Sequence, residues 1–387
     1  MLTLLLPLLP LVLLAPTDVD AATRARIEAR CSTYLSELHA KGSFPGASAA
    51  LVLPDGSVVA VAVGVADADD PDAVKLRPSD RMLSGSIGKS YVSACALRLA
   101  TAGELDLDAK AASFFTGEDD AWFARLPNAA DFTVRQLLRH ESGLPRYVFV
   151  PAFLEVVASE PDRVWQPREL LSYVEGAEPL FAAGEGWSYA DTGYIVVGMI
   201  LERVSGERFY DLACELLLEP LGLDDTIPSD RRELPGVVQG HVVDGRQLGL
   251  PERTIEGGQF VFNPQFEWCG GGFASTPADL ARWAHVLYRG RAFAAEYLPL
   301  LTDAVPARML GPRTRYGLGV MVRESELGTW LGHDGFMPGY LSTMGCFPDL
   351  EVAAALQLNT DSSRALPERK DVVLVELVKI ARDELAR

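Results

Sequence analysis

The segment Ser84-Gly-Ser-Ile-Gly-Lys-Ser90, SGSIGKS, is consistent with two kinds of site. Its last three residues match the Gly-Lys-Ser that closes a phosphate-binding loop. That loop also needs a glycine five residues before its second glycine, and the chain has Leu83 at this position. Because the Cβ of a leucine restricts a turn that depends on the conformational freedom of glycine, we exclude a nucleotide-binding loop here.

The same segment contains Ser86-Ile-Gly-Lys89, a Ser-x-x-Lys pattern. Residues Tyr91–Ala100 have the apolar positions of a buried helix, and Gly103 suits its C-terminal end. A helix that starts here places the Ser86 hydroxyl and the Lys89 amine on one face. The N–H of Ser86 could then bind an oxyanion, while a neutral Lys89 takes up the hydroxyl proton. A serine and a lysine at this spacing are usually polar surface, so the pattern needs partners elsewhere in the chain.

The composition is that of a globular protein with an acidic surface. With 387 residues the chain exceeds one typical hydrophobic core, so we expect two lobes or two domains. Hydrophobic residues make up 48% and charged residues 23%, which excludes a disordered or fibrous chain. The formal net charge of −18 argues against nucleic acid and anionic membranes as partners.

The first residues have the pattern of a secretory signal peptide. Leu2–Ala15 is a short apolar run, and Val19-Asp-Ala21 offers small residues for cleavage. Pro7, Pro10 and the shortness of the run argue against a membrane span. No lysine or arginine precedes the run, which departs from the usual pattern. We predict a signal peptide over residues 1–21 and an exported mature chain, periplasmic or extracellular, without a membrane span.

Cysteine and histidine are dispersed, which indicates neither a disulfide framework nor a metal site. No Cys-x-x-Cys occurs, and we interpret the five cysteines as isolated buried thiols: Cys31, Cys95, Cys214, Cys269 and Cys346. The acidic run Asp67–Asp72 lacks the spacing of calcium ligands and is interpreted as a solvated turn. Lone histidines such as His140 are interpreted as structural or surface groups. We expect no metal and no cofactor.

Hydrophobic periodicity predicts an α+β fold whose sheet comes from both ends of the chain. Arg24–Lys41 has apolar residues at helical spacing. Ala47–Leu53 and Ser57–Val65 flank Pro54-Asp-Gly56, a strong hairpin signal. Near the other end we predict four more strands and a closing helix: Tyr316–Val322, Gly328–Gly332, Ser342–Phe347, Glu351–Leu358 and, for the helix, Ala365–Leu385.

Mostly helical sequence lies between these two parts, for example Thr133–Arg139 and Gly193–Val204. We therefore predict an antiparallel sheet flanked by the terminal helices, with an inserted, mostly helical lobe. The α/β lobe would be formed by about residues 22–85 and 290–387, and the helical lobe by about residues 86–289.

Two other segments could supply partners for the Ser-x-x-Lys pair. Tyr189 lies in the polar, glycine-flanked segment Glu185–Gly193, just before a predicted helix. His333-Asp-Gly335 follows a predicted strand and is succeeded by Phe336-Met-Pro-Gly-Tyr340. Together these elements form an ordered pattern along the chain.

In this order the motifs resemble those of a serine hydrolase family: class C β-lactamases, D,D-carboxypeptidases, D-aminopeptidases and related esterases. There the second motif is Tyr-x-Asn and the third is Lys-Thr-Gly or His-x-Gly, matched here by Tyr189-Ala-Asp191 and His333-Asp-Gly335. Gln136–Pro145 and Gly270–Leu280 are further family-like segments, and the resemblance extends over roughly Phe44–Asn359. It implies a β-lactamase/transpeptidase-like fold, similar to penicillin-binding proteins.

Carried over to this chain, the resemblance implies a catalytic set and a substrate-binding set. Ser86 would be the nucleophile, with Lys89 and Tyr189 as the proton-transfer pair that activates it. The oxyanion would lie between the backbone N–H groups of Ser86 and Phe336. The substrate-binding residues would be Asp191, His333, Gly335 and Phe336. The implied substrate is a small molecule or short peptide with an ester or amide bond, such as a D-amino-acid amide or a β-lactam, and no cofactor is implied.

Asp191 departs from the family pattern, which has asparagine at this position. An ionised aspartate beside Lys89 should hold the amine protonated, and Tyr189 would then carry more of the proton abstraction. His333 would be largely neutral near pH 7 and would gain charge as the pH falls, while Asp191 and Asp334 add negative charge. These charges favour neutral substrates, or substrates with an amine that could pair with Asp191, over anionic ones.

Two hypotheses remain open at this point. The first is an active, exported serine hydrolase that forms an acyl-enzyme. The second is a catalytically impaired family member that binds a peptidoglycan fragment or a protein partner. The presence of Ser86, Lys89 and Tyr189 favours the first hypothesis, and Asp191 keeps the second one open.

Overall fold

A computed structural model describes residues 18–387. Most of the predicted signal segment lies outside the described residues, so cleavage after Ala21 stays a prediction. The α-helices of the described part are α1 Ala21–Lys41, α2 Lys89–Thr101, α3 Val134–Leu138, α4 Pro151–Ser159, α5 Pro167–Ser172, α6 Asp191–Ser205, α7 Phe209–Ala213, α8 Pro277–Leu287, α9 Leu298–Thr302 and α10 Lys370–Leu385. The β-strands are β1 Gly46–Val52, β2 Val58–Gly64, β3 Met82–Leu83, β4 Ile227–Pro228, β5 Ile255–Glu256, β6 Gln259–Phe260, β7 Phe273–Ser275, β8 Val305–Pro306, β9 Arg315–Tyr316, β10 Met321–Ser325, β11 Gly328–Met337, β12 Tyr340–Phe347 and β13 Val352–Leu358.

The central sheet is antiparallel and joins the two ends of the chain. Its eight strands follow the order β2-β1-β13-β12-β11-β10-β9-β8. The predicted hairpin is confirmed, because β1 pairs with β2 and Val52 lies opposite Val58 next to the turn. On its other side β1 pairs with β13, where Ala47 lies opposite Leu358. The first and last strands of the sequence thus lie side by side in one sheet.

The two faces of the sheet are covered by different parts of the chain. Successive residues of a strand point to opposite faces. Ala47, Ala49 and Leu51 of β1 pack in a hydrophobic cluster with α1 and α10. Ala50 and Val52 belong instead to the larger cluster that contains α8 and the other helices of the middle region. The predicted α+β architecture, a sheet flanked by the terminal helices, is confirmed.

The strand predicted at Tyr316–Val322 is in fact two short strands. β9 ends at Tyr316 and β10 begins at Met321. Gly319 lies between them with a φ of 68°, a left-handed conformation that interrupts an extended backbone. The break changes the course of the chain next to Tyr316, which lies in the candidate site described below.

Two other predicted boundaries also differ from the structure. Strand β11 continues to Met337 instead of ending at Gly332, so the His-Asp-Gly motif lies inside the strand. Helix α10 begins at Lys370 rather than at Ala365, because Pro367 lacks a backbone donor and restricts the residue before it.

The residues between β2 and β8 form the remaining helices and short strands. Helices α2 and α6 pack against each other, and both contact the turn at Pro264–Gly270. Helix α8 packs instead against the sheet, on β1, β12 and β13. We therefore propose that the boundary of the helical lobe falls before α8 rather than near residue 289.

Two predictions about the whole chain can be compared with the described residues. No helix within residues 18–387 is both long enough and apolar enough to cross a bilayer. All five cysteines are free thiols, and four of them are buried while Cys214 is partly exposed. The interpretation of the cysteines as isolated thiols is confirmed.

Candidate active site

The predicted nucleophile Ser86 lies in a turn that depends on glycine. Strand β3 leads into a 3₁₀ turn, and α2 follows directly. Gly85 has a φ of 54°, and a Cβ at this position would lie 2.7 Å from the backbone nitrogen of Phe336. A Cβ on Gly335 would lie 1.9 Å from the carbonyl oxygen of Ser84. Both distances are too short for a side chain, so these glycines allow strand β11 to reach the Ser86 turn.

The Lys89 amine is completely buried and makes three polar contacts. Its Nζ lies 3.1 Å from Ser86 Oγ and 2.6 Å from Asp191 Oδ1, and it also donates to the carbonyl oxygen of Gly270. An ammonium group would donate to all three atoms, whereas a neutral amine would donate to two and accept from the Ser86 hydroxyl, so the neighbouring charges decide the protonation state. Burial lowers the pKa of Lys89, but the negative charges of Asp191 and of ionised Tyr189 and Glu267 together outweigh burial and hold this pKa above its usual value. This is the effect predicted for an aspartate beside Lys89.

Asp191 lies in the first turn of α6 and is held between two cations. Its Oδ1 faces Lys89, and its Oδ2 accepts from Arg146 Nε at 2.8 Å and lies 2.7 Å from Arg146 Nη2. Burial would raise the pKa of Asp191, but Arg146 and Lys89 hold it well below its usual range. The helix N-terminus also favours the negative charge. Each oxygen already faces a cation and the side chain is only 3% exposed, which disfavours the expected pairing of a substrate amine with Asp191.

The ring of Tyr189 lies against the Lys89 amine, whose Nζ is 4.9 Å from the ring centroid. The ring centroid of His140 is 4.2 Å away, and the guanidinium carbon of Arg146 is 5.2 Å away. The Tyr189 hydroxyl is buried and has no hydrogen-bond partner within residues 18–387. Burial raises the pKa of Tyr189, and the Lys89 cation opposes this rise. The hydroxyl therefore keeps its hydrogen-bonding capacity for a reacting group.

His333 is completely buried behind Tyr189. Its Nδ1 lies 2.6 Å from the carbonyl oxygen of Asp334, and its Nε2 lies 2.8 Å from the hydroxyl of Tyr316. The carbonyl can only accept, so Nδ1 carries the proton and Nε2 accepts from the tyrosine. Burial, together with the Lys89 cation, lowers the pKa of His333 to about 3. The expectation that His333 gains charge as the pH falls towards 6 is therefore wrong.

Asp334 was expected to add negative charge to the site, but its charge is neutralised by neighbouring cations. Its Oδ2 accepts from Arg323 Nη2 at 2.8 Å, and its Oδ1 accepts from Thr343 Oγ1 at 2.7 Å. Lys370 Nζ lies 3.9 Å from Oδ1. Burial raises the pKa of Asp334, but Lys370 and Arg323 hold it below its usual range. The charge of Asp334 is balanced behind strand β11.

A mostly apolar cleft opens at Ser86. Its polar lining consists of Ser86, Arg146, Asp191 and Glu267, and large apolar side chains form the rest, including Phe149, Phe153, Leu154, Phe266 and Phe336. Of the predicted binding residues, Phe336 is 44% exposed and Asp191 reaches the cleft. His333 lies beneath the site, and Gly335 acts through its close packing on the Ser86 turn.

Three residues of this site, His140, Arg146 and Glu267, were not predicted from the sequence. His140 was interpreted as a structural or surface group, but it is buried against Tyr189 with a φ of 65°. It lies in the family-like segment Gln136–Pro145, and Arg146 directly follows that segment. Glu267 stands just before the other family-like segment. Proximity to these two segments was the available signal.

One group of potential metal ligands in the described part of the chain lies away from this cleft: Asp67, Asp69 and His241. Arg253 Nη2 lies 2.6 Å from Asp67, and its Nη1 lies 2.8 Å from Asp69. The one positive charge of the guanidinium is thus shared between both carboxylates. We retain the interpretation of the acidic run as a surface turn.

Comparisons with known proteins show what the chain is similar to. The family model described as Beta-lactamase matches residues 32–377. Penicillin-binding protein 4* of Bacillus subtilis (strain 168) is 28% identical over 253 residues, which cover 62% of this chain and 54% of that protein. A D-aminopeptidase of Brucella anthropi is 25% identical over 307 residues, which cover 78% of this chain and 53% of that protein. The chain thus spans about half the length of these two curated relatives.

The fold is also similar to a solved structure over almost its whole length. The crystal structure of a D-stereospecific amidohydrolase from Streptomyces sp. matches with a TM-score of 0.73 and 25% sequence identity. The match covers 93% of this chain and 98% of that one. The fold expected from the resemblance of the motifs is confirmed.

Proposed function

Because the chain belongs to the beta-lactamase family, we propose that it is a serine hydrolase that cleaves an ester or amide bond through an acyl-enzyme on Ser86. The proposal depends most on the 3.1 Å contact between Lys89 Nζ and Ser86 Oγ at the floor of an apolar cleft. Ser86 is partly exposed while Lys89 is buried, so the hydroxyl can meet a substrate and its proton has a polar route inward.

In the acylation step the Ser86 oxygen attacks the substrate carbonyl carbon, and the hydroxyl proton must leave. The ion pair with Asp191 holds Lys89 protonated, so in this state it cannot accept that proton. Tyr189 accepts it as a phenolate that the neighbouring Lys89 cation stabilises. The resulting phenol then donates the proton to the leaving oxygen or nitrogen. One ester bond forms at Ser86, one substrate bond breaks, and one proton passes to the leaving group.

The negative charge on the carbonyl oxygen develops next to the contact between the Ser86 turn and strand β11. The backbone N–H groups of Ser86 and Phe336 would donate to it, since Gly85 and Gly335 allow the two segments to approach. In the second half of the reaction the Tyr189 phenolate takes a proton from water. The hydroxide attacks the acyl carbon, and Ser86 recovers the proton as the product acid is released.

The lining of the cleft supports a substrate with an apolar acyl group and no carboxylate. The buried His333 is uncharged, and the two nearest cations, Lys89 and Arg146, are both paired with Asp191. Neutral esters and D-amino-acid amides should therefore react better than β-lactams or peptides that end in a free carboxylate. Side-by-side assays of nitrocefin, p-nitrophenyl acetate and D-alanine p-nitroanilide at pH 8 test this order. A clear preference for nitrocefin would contradict it.

The covalent step can be tested directly by intact-mass measurement after incubation with an activated ester or a fluorescent phosphonate. We expect one acyl or phosphonyl adduct in the unaltered protein and none in Ser86→Ala. Ser43→Ala, which removes an exposed hydroxyl, is the matched control and should keep the adduct. An adduct that survives in Ser86→Ala would refute the assignment of the nucleophile.

One observation favours the alternative of a non-catalytic binding protein. The ion pair between Lys89 and Asp191 holds the lysine protonated, and burial keeps Tyr189 protonated, so neither base is free at neutral pH. A protein that gives no adduct at pH 7 or at pH 9, but binds a peptidoglycan fragment in the cleft, would support this alternative.

A further inference from the structure

Glu267 is a buried carboxylate that the proposed reaction does not use. It is 9% exposed and lines the cleft together with Ser86 and Arg146. Within residues 18–387 no hydrogen bond or ion pair reaches its carboxylate, although Lys89, Arg146 and Asp191 lie close enough to affect its pKa. A carboxylate removed from water without a partner is costly, so such a group needs a specific explanation.

The local backbone holds Glu267 next to the nucleophile turn. The following residue, Trp268, has a φ of 37° and a ψ of −117°, an unfavourable conformation for a residue with a side chain. A Cβ on Gly271 would lie 2.9 Å from Glu267 Oε2 and 2.6 Å from the carbonyl carbon of Gly85. The missing side chain of Gly271 thus makes room for the carboxylate and brings it beside the Ser86 turn.

We propose that Glu267 binds the ammonium group of the substrate, so that the cleft selects an acyl group that carries an amine beside an apolar side chain. The inference rests on the proposed hydrolysis at Ser86 and names the substrate class of that site. Asp191 is a poorer partner for the amine because its side chain is only 3% exposed and each of its oxygens already faces a cation. Glu267 is the carboxylate of the cleft lining that is left without a cation, and a substrate ammonium supplies one.

The charges that face Glu267 come from three other segments. Lys89 on α2 and Arg146 after α3 are positive, and Asp191 on α6 is negative. Tyr147 and Tyr210 also lie near, and burial raises the pKa of each well above its usual value, so both stay neutral. With Glu267 ionised, the two cations and the two carboxylates balance, and with Glu267 protonated the site keeps one positive charge.

The protonation of Glu267 therefore sets which charge the cleft accepts. Burial and the repulsion of Asp191 raise the pKa of Glu267 to about 7. Above this pH the carboxylate is ionised and binds an ammonium group, whereas below it the site favours a neutral or anionic group. An ammonium ligand should thus bind better as the pH rises from 6 to 8, the reverse of the order expected for an anionic ligand.

The first test compares two substrates that differ only in the amine: D-phenylalanine p-nitroanilide and 3-phenylpropionyl p-nitroanilide. We expect the unaltered protein to hydrolyse the amine-bearing anilide at least about tenfold better in kcat/KM, as a charge-assisted hydrogen bond allows. Glu267→Gln should bring the two values within about twofold by lowering only the first. Glu267→Asp should keep part of the preference, and Glu256→Gln, at an exposed glutamate, should keep all of it.

The second test uses phenethylamine as an inhibitor, because this alkylamine stays protonated between pH 6 and pH 8. Its inhibition constant should fall about tenfold from pH 6 to pH 8, following the ionised fraction of a carboxyl with a pKa near 7. In Glu267→Gln it should not change with pH. Should this variant fail to fold, the profile of the unaltered protein decides, and a constant value from pH 6 to pH 8 overturns the proposal.

The outcomes separate this inference from the proposed function. If p-nitrophenyl acetate and both anilides resist Ser86-dependent hydrolysis, the proposed function itself fails. If hydrolysis occurs but Glu267→Gln leaves the preference for the amine unchanged, only the inference about Glu267 fails. An equal loss on both anilides with accumulation of acyl-enzyme would assign Glu267 to the attacking water and would also overturn the proposal.

Discussion

Asp191 and Asp334 are each held between two cations, and of these two clusters only the one around Asp191 touches the nucleophile. Asp191 lies between Lys89 and Arg146 at the floor of the cleft. Asp334 lies 2.8 Å from Arg323 and 3.9 Å from Lys370, behind strand β11. In both clusters burial raises the carboxyl pKa and the cations bring it below its usual range. The charge balance is alike, so the difference lies in what the cations contact.

The two lysines show this difference most clearly. Lys89 donates to the Ser86 hydroxyl, so the charge of Asp191 acts on the protons of the reacting groups. Lys370 Nζ lies 3.1 Å from the carbonyl oxygen of Ser342 and 3.4 Å from that of Gly335. The Gly335 carbonyl belongs to the same peptide group as the N–H of Phe336. In the proposed reaction the first cluster would therefore control proton transfer, whereas the second would position an oxyanion donor.

The largest contrast is expected between the variants Lys89→Met and Lys370→Met. Lys89→Met removes the cation that stabilises the Tyr189 phenolate, so kcat/KM should fall by about 10³-fold. Lys370→Met keeps the apolar stem and the backbone donor, so kcat should fall by less than about tenfold with little change in KM. Steady-state hydrolysis of p-nitrophenyl acetate measures both. Equal losses in the two variants would contradict the separation of the clusters.

A smaller effect, on stability, is expected from Asp334→Asn. Without the carboxylate, Arg323 and Lys370 face each other unbalanced, and the free energy of unfolding at pH 7 should fall by about 2 kcal/mol. The pKa of Asp334 is lower in the folded state, so its contribution is complete above the unfolded pKa of about 4, begins to decrease below it, and is lost as the pH falls through the lower folded pKa. Urea unfolding at pH 7 and at pH 3.5 measures this difference.

The matched control for this stability effect is Asp349→Asn, which changes an exposed aspartate in the turn after strand β12. It should change stability by less than about 0.5 kcal/mol. If Asp334→Asn changed the free energy of unfolding at pH 7 as little as Asp349→Asn does, the cluster behind β11 would not stabilise the fold. Only the cluster around Asp191 in the cleft would then have an effect that can be measured.

The sequence predicts the parts of the site that local spacing determines. Ser86 and Lys89 belong to one helix start, and Tyr189 immediately precedes α6, so each can be recognised within a short segment. The effect of Asp191 on Lys89 was also predictable, because the family pattern brings the two motifs together. The sheet follows from its hairpin, since seven-residue apolar runs around a turn leave few other pairings.

The parts that were missed depend on contacts between distant segments. Arg146 pairs with Asp191 from a loop 45 residues earlier, and no spacing rule relates the two. His333 was expected to respond to pH, but strand β11 continues past it and turns its ring inward against Tyr316. Whether a polar residue in a strand faces the core or the cleft depends on packing from both sides, which one sequence does not reveal.

The smallest and most specific effect is expected from Asp191→Asn, which restores the family residue. Removing this charge lowers the pKa of Lys89, and it also lowers the pKa of Tyr189, which Asp191 now raises. The proposed base, Tyr189, therefore becomes available at lower pH, and so does Lys89 once the carboxylate no longer holds it protonated. The midpoint of the alkaline rise in kcat/KM should therefore move down by about one pH unit.

Hydrolysis of p-nitrophenyl acetate from pH 6 to pH 10 measures this midpoint, with Asp334→Asn as the control whose midpoint stays in place. An unchanged midpoint in Asp191→Asn would mean that proton transfer does not depend on the cleft cluster, and a shift in both variants would mean that the two clusters act as one.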